Sequence, residues 1–302
     1  MNTYLPEGMQ IHTGRHPKTP DDLRRAMQSG EIITATALLC DEAHNLHVSV
    51  AGVSGIIPRA EAALGVAQGT VRDIAILSRV GKPVCCKVQA FEADGTVRLS
   101  RVAAQQEALH FMTASLRPGD IIPAVVTSLT NFGAFCDVGC GVIALLGIEN
   151  ISVSRISHAR DRFREGQQIY AVVQRIDPDT GRISLTHKEL LGTWEENAAC
   201  FQAGQTVTGT VRSVKDYGVF IELAPNLSGL AEPDPALQPG DTVSVYLKSI
   251  LPDKMKIKLS VIEVLDAAVL PRPPLRYTRT DGHLDYWQYS PNAAKLYTVF
   301  ES

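Results

Sequence analysis

A chain of 302 residues, 45% hydrophobic and 20% charged, has room for two or three ordinary globular domains. No apolar run approaches the roughly 18 residues of a membrane span. The start, Met1-Asn2-Thr3-Tyr4-Leu5-Pro6-Glu7, has neither a basic nor an apolar leader segment, so the expected compartment is the cytoplasm, with no membrane partner. A net charge of −3 excludes a uniformly basic nucleic-acid binder, so any polyanion surface must be local. The six cysteines, Cys40, Cys85, Cys86, Cys136, Cys140 and Cys200, show no CxxC spacing. They are read as reduced structural thiols rather than as a metal site built on Cys136 and Cys140. No metal or cofactor is expected.

Taken in order, residues 1–29 form an arm and a short helix. Thr19 is its cap, Pro20 its first residue, Asp21 and Asp22 its acidic first turn, and Gly30 its stop. Arg24 and Arg25 lie on what reads as a solvated face. Residues 30–101 carry short alternating segments at 32–39, 46–50, 53–57, 71–77, 84–91 and 97–100, all read as strands. In the second of them Leu46, Val48 and Val50 point inward, and Asn45, His47 and Ser49 outward. Residues 102–116 are a helical linker with Leu109 and Met112 on one side.

Two clearer copies follow, at 117–188 and 203–262, starting 85 residues apart at Gly119 and Gly204. One contains Asn131-Phe132-Gly133-Ala134-Phe135-Cys136-Asp137-Val138, the other Asp216-Tyr217-Gly218-Val219-Phe220-Ile221-Glu222-Leu223. Each closes on a short strand, Arg182-Ile183-Ser184-Leu185-Thr186 or Lys256-Ile257-Lys258-Leu259-Ser260. Between them, 189–202 is a helical linker. Leu190, Leu191, Trp194, Ala198 and Phe201 fall at helical spacing over 188–201, and Trp194 is expected to wedge between the second and third units. In the third copy Val219, Ile221 and Leu223 share one strand face, while Phe220 shares the wet face with Glu222. The first copy starts 89 residues before Gly119 and holds His44 and His47 where the others hold spaced aromatics.

Five or so short strands per copy, glycine-rich turns and no long helix predict a mainly β protein. Its expected form is tandem five-stranded barrels of oligonucleotide-binding (OB-fold) type, joined by short helical connectors. Residues 263–302 hold Pro271, Pro273 and Pro274, read as an extended linker, and then an aromatic tail. The tail is expected to pack back on a barrel. A partner-binding segment and an added stacking surface are the alternatives.

The pattern Gly-x-x-x-x-(Gly/Ala)-x-Val, aromatic-Gly-(Ala/Val)-Phe, Gly-Leu and Asp-Pro-x-x-x-Arg-Ile-x-Leu resembles the S1 RNA-binding domain of ribosomal protein S1. The resemblance is strong over 117–188 and 203–262 and weak over 30–101. It implies an RNA surface made by two aromatics, a histidine, an aspartate and an arginine. In the second copy those positions hold Phe132, Phe135, Gly147, Asp177 and Arg182, and in the third Tyr217, Phe220, Glu232, Leu251 and Lys256. Gly147, Glu232 and Leu251 depart from the family pattern, and the first copy keeps only the His44/His47 pair. The second copy is therefore expected to be the best RNA binder.

Aromatic rings stack on the bases of single-stranded RNA with little sequence preference, and Lys and Arg neutralise phosphates. Outward cations are expected at Arg175 and Arg182 in the second copy, and at Arg212, Lys215, Lys248, Lys256 and Lys258 in the third. The 155–164 loop adds Arg155, His158, Arg160, Arg162 and Arg164, either as phosphate contacts or as solvated surface. Phe132 and Tyr217 share parity with inward residues. They either plug a barrel end or are turned outward by a bulge at Gly133 and Gly218. No phosphate loop, HExxH or nucleophile elbow occurs, and Asp177 with His187 or Glu189 makes no acid–base constellation. The expected activity is non-catalytic binding of single-stranded RNA, either in translation, on mRNA and with it the ribosome, or in RNA metabolism, with no small-molecule substrate. The alternative is a protein-interaction scaffold with little RNA affinity, which the three departures favour.

Overall fold

Alternation of small apolar and polar residues closes three successive five-stranded barrels in the computed structural model, which describes residues 4–9, 16–266, 274–294 and 296–301. Helix α1 (Pro20–Ser29) precedes them. The Thr19 hydroxyl accepts from the Asp22 amide, the Asp22 carboxylate caps the Thr19 amide in return, and Gly30 ends the helix at φ 70°. Arg24 and Arg25 pair with Asp21 and Asp22 along its exposed side.

Barrel one is β1 (Ile33–Cys40), β2 (Leu46–Val50), β3 (Val53–Ile57), β4 (Pro83–Phe91) and β5 (Val97–Ser100), in the order β1-β2-β3-β5-β4. Helical turns α2 (Arg59–Ala62) and α3 (Ile74–Leu77) lie between β3 and β4. The strand expected at 71–77 is thus a turn of helix. Both neighbours it would need, β1 and β5, are already paired with β4. The segment instead coils on the Asp73 carbonyl, which accepts from the Ile76 and Leu77 amides.

Helix α4 (Arg101–Ser115) leads to barrel two, β6 (Ile121–Leu129), β7 (Gly133–Gly139), β8 (Val142–Gly147), β9 (Gln168–Ile176) and β10 (Ile183–Thr186). The second connector is broken, against the expected continuous helix. A single turn at Lys188–Leu191 ends at Gly192, at φ 84°, and α5 (Trp194–Ala198) restarts from a Thr193 cap. Barrel three is β11 (Thr206–Lys215), β12 (Gly218–Ala224), β13 (Leu227–Ala231), β14 (Thr242–Leu251) and β15 (Lys256–Leu265). All three barrels share one strand order, with antiparallel pairs and one parallel pair between third and fifth strands. Each encloses its own core, as with Val126, Ala134, Cys136, Leu146 and Leu185 in barrel two. Each such valine or leucine contributes on the order of 1.5–3 kcal/mol by leaving water.

The terminal segments join the barrels. The arm at residues 4–9 lies between barrels one and two, where the buried Glu7 carboxylate accepts from Arg101 at 2.6 and 2.9 Å and from Arg79 at 3.4 Å. The Glu7 amide donates to Asp137 at 2.7 Å. Burial opposes ionisation of Glu7, but the two guanidinium groups hold its pKa below the ordinary value. Burial, with Glu7 beside it, pushes Asp137 up to about 7. The tail, described from Pro274 because Pro271 and Pro273 lie outside the described residues, crosses barrels two and three. Its Ile121–Gly282 and Leu284–Gly119 backbone bonds hold barrel two. Trp287 and Tyr289, flanking the end of β16 (Tyr286–Gln288), enter barrel three's core beside Trp194. Strand β17 (Tyr297–Val299) pairs with β16. The tail is therefore an ordered extension, and Trp194, whose cluster also takes in Val153 of barrel two, sits at the junction.

His187 is sealed under the tail. Its Nδ1 lies 2.8 Å from the Ile151 carbonyl and its Nε2 3.2 Å from the Tyr277 hydroxyl, a neutral tautomer that donates from Nδ1 and accepts at Nε2. Burial lowers its pKa to about 4. The unfolded chain, with an ordinary histidine, takes up that proton first, so stability is full above pH 6.5 and is lost as pH falls towards 4. The loss from this group reaches about 3 kcal/mol. Urea unfolding between pH 7 and 4.5 is expected to show it, and His187→Asn, though less stable at pH 7, is expected to flatten the slope. Parallel pH profiles for the two proteins would contradict the assignment.

Candidate nucleic-acid interface

In barrels two and three the first hairpin ends in a two-residue tip, Asn131-Phe132 or Asp216-Tyr217, followed by a glycine that opens the next strand. A Cβ on Gly133 would stand 2.3 Å from the Leu146 carbonyl oxygen, and one on Gly218 2.6 Å from that of Ala231. Both glycines have φ 153°, outside the range side chains favour. The third strand can close this tightly on the second only because no side chain intervenes. Phe132 and Tyr217 are thereby left in the turn, 53% and 68% exposed, and plug nothing. The bulge is not at the glycine but on the facing strand, where register slips between Val126 and Ser128 and between Val211 and Ser213.

Each tip ring meets a strand ring edge-on. Phe132 and Phe135 are 5.9 Å apart at 84°, and Tyr217 and Phe220 are 6.1 Å apart at 89°. Such T-shaped pairs are mutually stabilising by roughly 0.5–1.5 kcal/mol. They also leave ring faces open, with Phe135 and Phe220 half-buried.

From the strand ring a row runs across the outer face in register. In barrel two it is Phe135, Leu145, Ser184 and Arg175. In barrel three it is Phe220, Leu230, Lys258 and Ser249. In barrel one it is His47, Ile56, Arg98 and Ala90. Every row thus joins a ring, an aliphatic side chain and one cation. Matching bulges flank it, because the first and fourth strands slip at equivalent places in all three barrels. Arg98 was missed in the sequence, although the closing strands alone align it with Lys258.

The remaining expected residues divide by environment. Arg182, Lys215 and Lys256 are exposed near the rows. Asp177 closes its own turn, and hydrogen bonds from the Thr180 and Asp179 amides keep its pKa low, with Arg175 adding to the effect. Lys248 pairs at 2.8 Å with Glu232, which sits opposite Gly218 where barrel two has Gly147. Arg212 is not the open cation expected. Its guanidinium is 16% exposed and donates to Glu222 at 2.8 and 3.1 Å. Arg162 meets the same carboxylate from barrel two and is likewise withdrawn from solvent. The wet face assigned to Glu222 is here the seam between barrels. Arg155, Arg160 and Arg164 of the 155–164 loop are exposed, and the Arg160 guanidinium lies 3.0 Å from the His158 ring. In barrel one, His44 stands 3.2 Å from Asp73 and His47 3.0 Å from Asp41, so both rings are tied to carboxylates rather than paired with each other.

Gly133→Ala is expected to destabilise the protein by about 2 kcal/mol or more, since backbone must move to admit the methyl. Urea unfolding measures this; a variant as stable as the parent would show that the close approach is not required.

The sequence pattern of the family described as "S1 RNA binding domain" matches residues 115–188, which hold barrel two. Small ribosomal subunit protein bS1 of Staphylococcus epidermidis is 30% identical over 275 residues, covering 85% of this chain and 67% of that protein. The bS1 protein of Leuconostoc lactis is 34% identical over 235 residues, 72% of this chain and 53% of that one, so the chain spans about half the length of this relative. Among solved structures, a chain of the a/eIF2alpha–aDim2p–rRNA complex from Pyrococcus horikoshii matches 28% of this chain and 51% of its own length. The identity there is 29% and the TM-score 0.24.

Proposed function

The chain belongs to the ribosomal protein S1 family, and we propose that it is a non-catalytic single-stranded RNA-binding protein that acts on mRNA in cytoplasmic translation, in association with the ribosome. The observation that carries this reading is the repeated T-shaped aromatic pair at the head of a row ending in or crossing an exposed cation. A base stacks on the open face of Phe135 or Phe220, and the tip ring, Phe132 or Tyr217, walls it on one side. The aliphatic neighbour, Leu145 or Leu230, extends the apolar platform under the sugar or the next base. Arg175 and Arg182 in barrel two, and Lys256, Lys258 and Lys215 in barrel three, neutralise phosphates along the strand. Barrel two leads because its cations, Arg175 in the row and Arg182 near it, are both arginines, able to stack as well as pair with phosphate.

Barrel one supports a different role for itself. With His44 and His47 held by Asp73 and Asp41, it serves chiefly to carry the arm and helix α4.

Binding of a fluorescein-labelled 12-nucleotide oligouridylate, followed by anisotropy, tests the reading. Phe135→Ala with Phe220→Ala is expected to weaken it at least tenfold, the loss of one stacked base or more at about 1–3 kcal/mol each. In the same assay Lys258→Ala is expected to reduce the slope of log affinity against log salt by about 0.7, one phosphate contact. Unchanged affinity in the double variant would overturn the stacking mechanism. Partner assemblies that form with the protein and survive ribonuclease, in that case, would favour the scaffold role.

A further inference from the structure

Beside the barrel-two row lies a groove of about 1000 Å³. Its floor is apolar, with Leu109 of helix α4 and Leu116 facing Ile176 at the end of β9. Its rim carries His110, Arg117 and Arg175, all exposed. The helix and barrel two meet closely here, since the Leu109 methyls lie 3.7 and 3.8 Å from where a Cβ on Gly181 would stand. Asp177 and Glu301 also line it. One Asp177 oxygen is spent on its own turn, through the Asp179 and Thr180 amides, which leaves the other as an acceptor.

Apolar floor, guanidinium groups at the rim and carboxylate acceptors match the three parts of a nucleotide. The floor takes the flat base, the arginines the phosphate, and the carboxylates the base's N–H edge. Arg175 belongs both to the row headed by Phe135 and to the groove, so the two surfaces are continuous. We infer that the groove is an additional nucleotide subsite, in which the strand leaving the barrel-two row lays a further base on Leu109, Leu116 and Ile176 with its phosphate between Arg117 and Arg175. This rests on the RNA reading above. The subsite exists because the connector helix packs against the barrel: four of its residues, at 106, 109, 110 and 113, line the groove, whereas the row is made by strands alone.

The test uses the full chain with labelled oligocytidylates of three and ten nucleotides. Arg117→Ala removes the phosphate contact, and Thr113→Trp fills the groove from an exposed lining position, so neither disturbs a core. Each is expected to weaken the ten-nucleotide probe about fivefold and leave the three-nucleotide probe unchanged, while Phe135→Ala weakens both. Groove variants that leave the longer probe unchanged, or weaken both probes alike, would overturn the subsite while the RNA reading stands. Phe135→Ala without effect on either probe would instead overturn the RNA reading beneath it. Cytidine 5′-monophosphate is expected to show no Arg117-dependent binding at millimolar concentration; if it does, the groove is a site for free nucleotide and not for the strand.

Discussion

In barrels two and three a carbonyl oxygen of the third strand closes on the glycine that begins the second, Leu146 on Gly133 and Ala231 on Gly218. Much of the proposed surface follows from it. With the strands drawn together there, the hairpin must turn in two residues, the tip ring is left outside the barrel, and the next outward ring meets it edge-on. The bulge on the facing strand and a second on the fourth strand bracket the same row in each barrel. A local steric rule, the absence of one methyl, thus sets the edge-on ring pair in barrels two and three, while the row itself, present also in barrel one with Asn45 at the glycine's place, follows from the shared strand order and bulges.

How the rows stand relative to one another depends on a different interaction, buried charge. Glu7 with Arg101, Arg79 and Asp137 lies between barrels one and two, and Glu222 with Arg162 and Arg212 between barrels two and three. Removing one partner from such a group typically costs about 3–5 kcal/mol because the other charge is stranded. Apolar contacts from the tail, with Trp287 and Tyr289 in barrel three and Phe300 against Ile121 and Leu190, close the second junction. The terminal segments hold the barrels at their junctions.

The barrels were legible because alternation and glycine punctuation are local signals, repeated three times, whereas their strand order rests on pairing between distant segments. The burial of Val219 and Ile221 was legible as well. What failed depended on neighbours distant in sequence. The 71–77 segment has strand-like apolar residues but no free edge to join. Glu222 and Arg212 read as solvent-facing because outward from one barrel means inward to the seam with the next. Phe132 and Tyr217 were ambiguous because parity counts residues along a strand, and they stand in the turn before it. Arg98 aligns with Lys258 in the closing strands, but only pairing across four strands joins it to His47 and Ile56 in one row.

The central claim is that single-stranded RNA lies along the outer row of barrel two and its counterpart in barrel three. Amide chemical-shift mapping of the full chain with an unstructured oligouridylate tests it most directly. The account requires the largest shifts at Phe135, Leu145, Ser184 and Arg175, with a second, smaller set at Phe220, Leu230 and Lys258 and none around His47. Tight binding with shifts confined to other faces, or with barrel one shifted most, would contradict it.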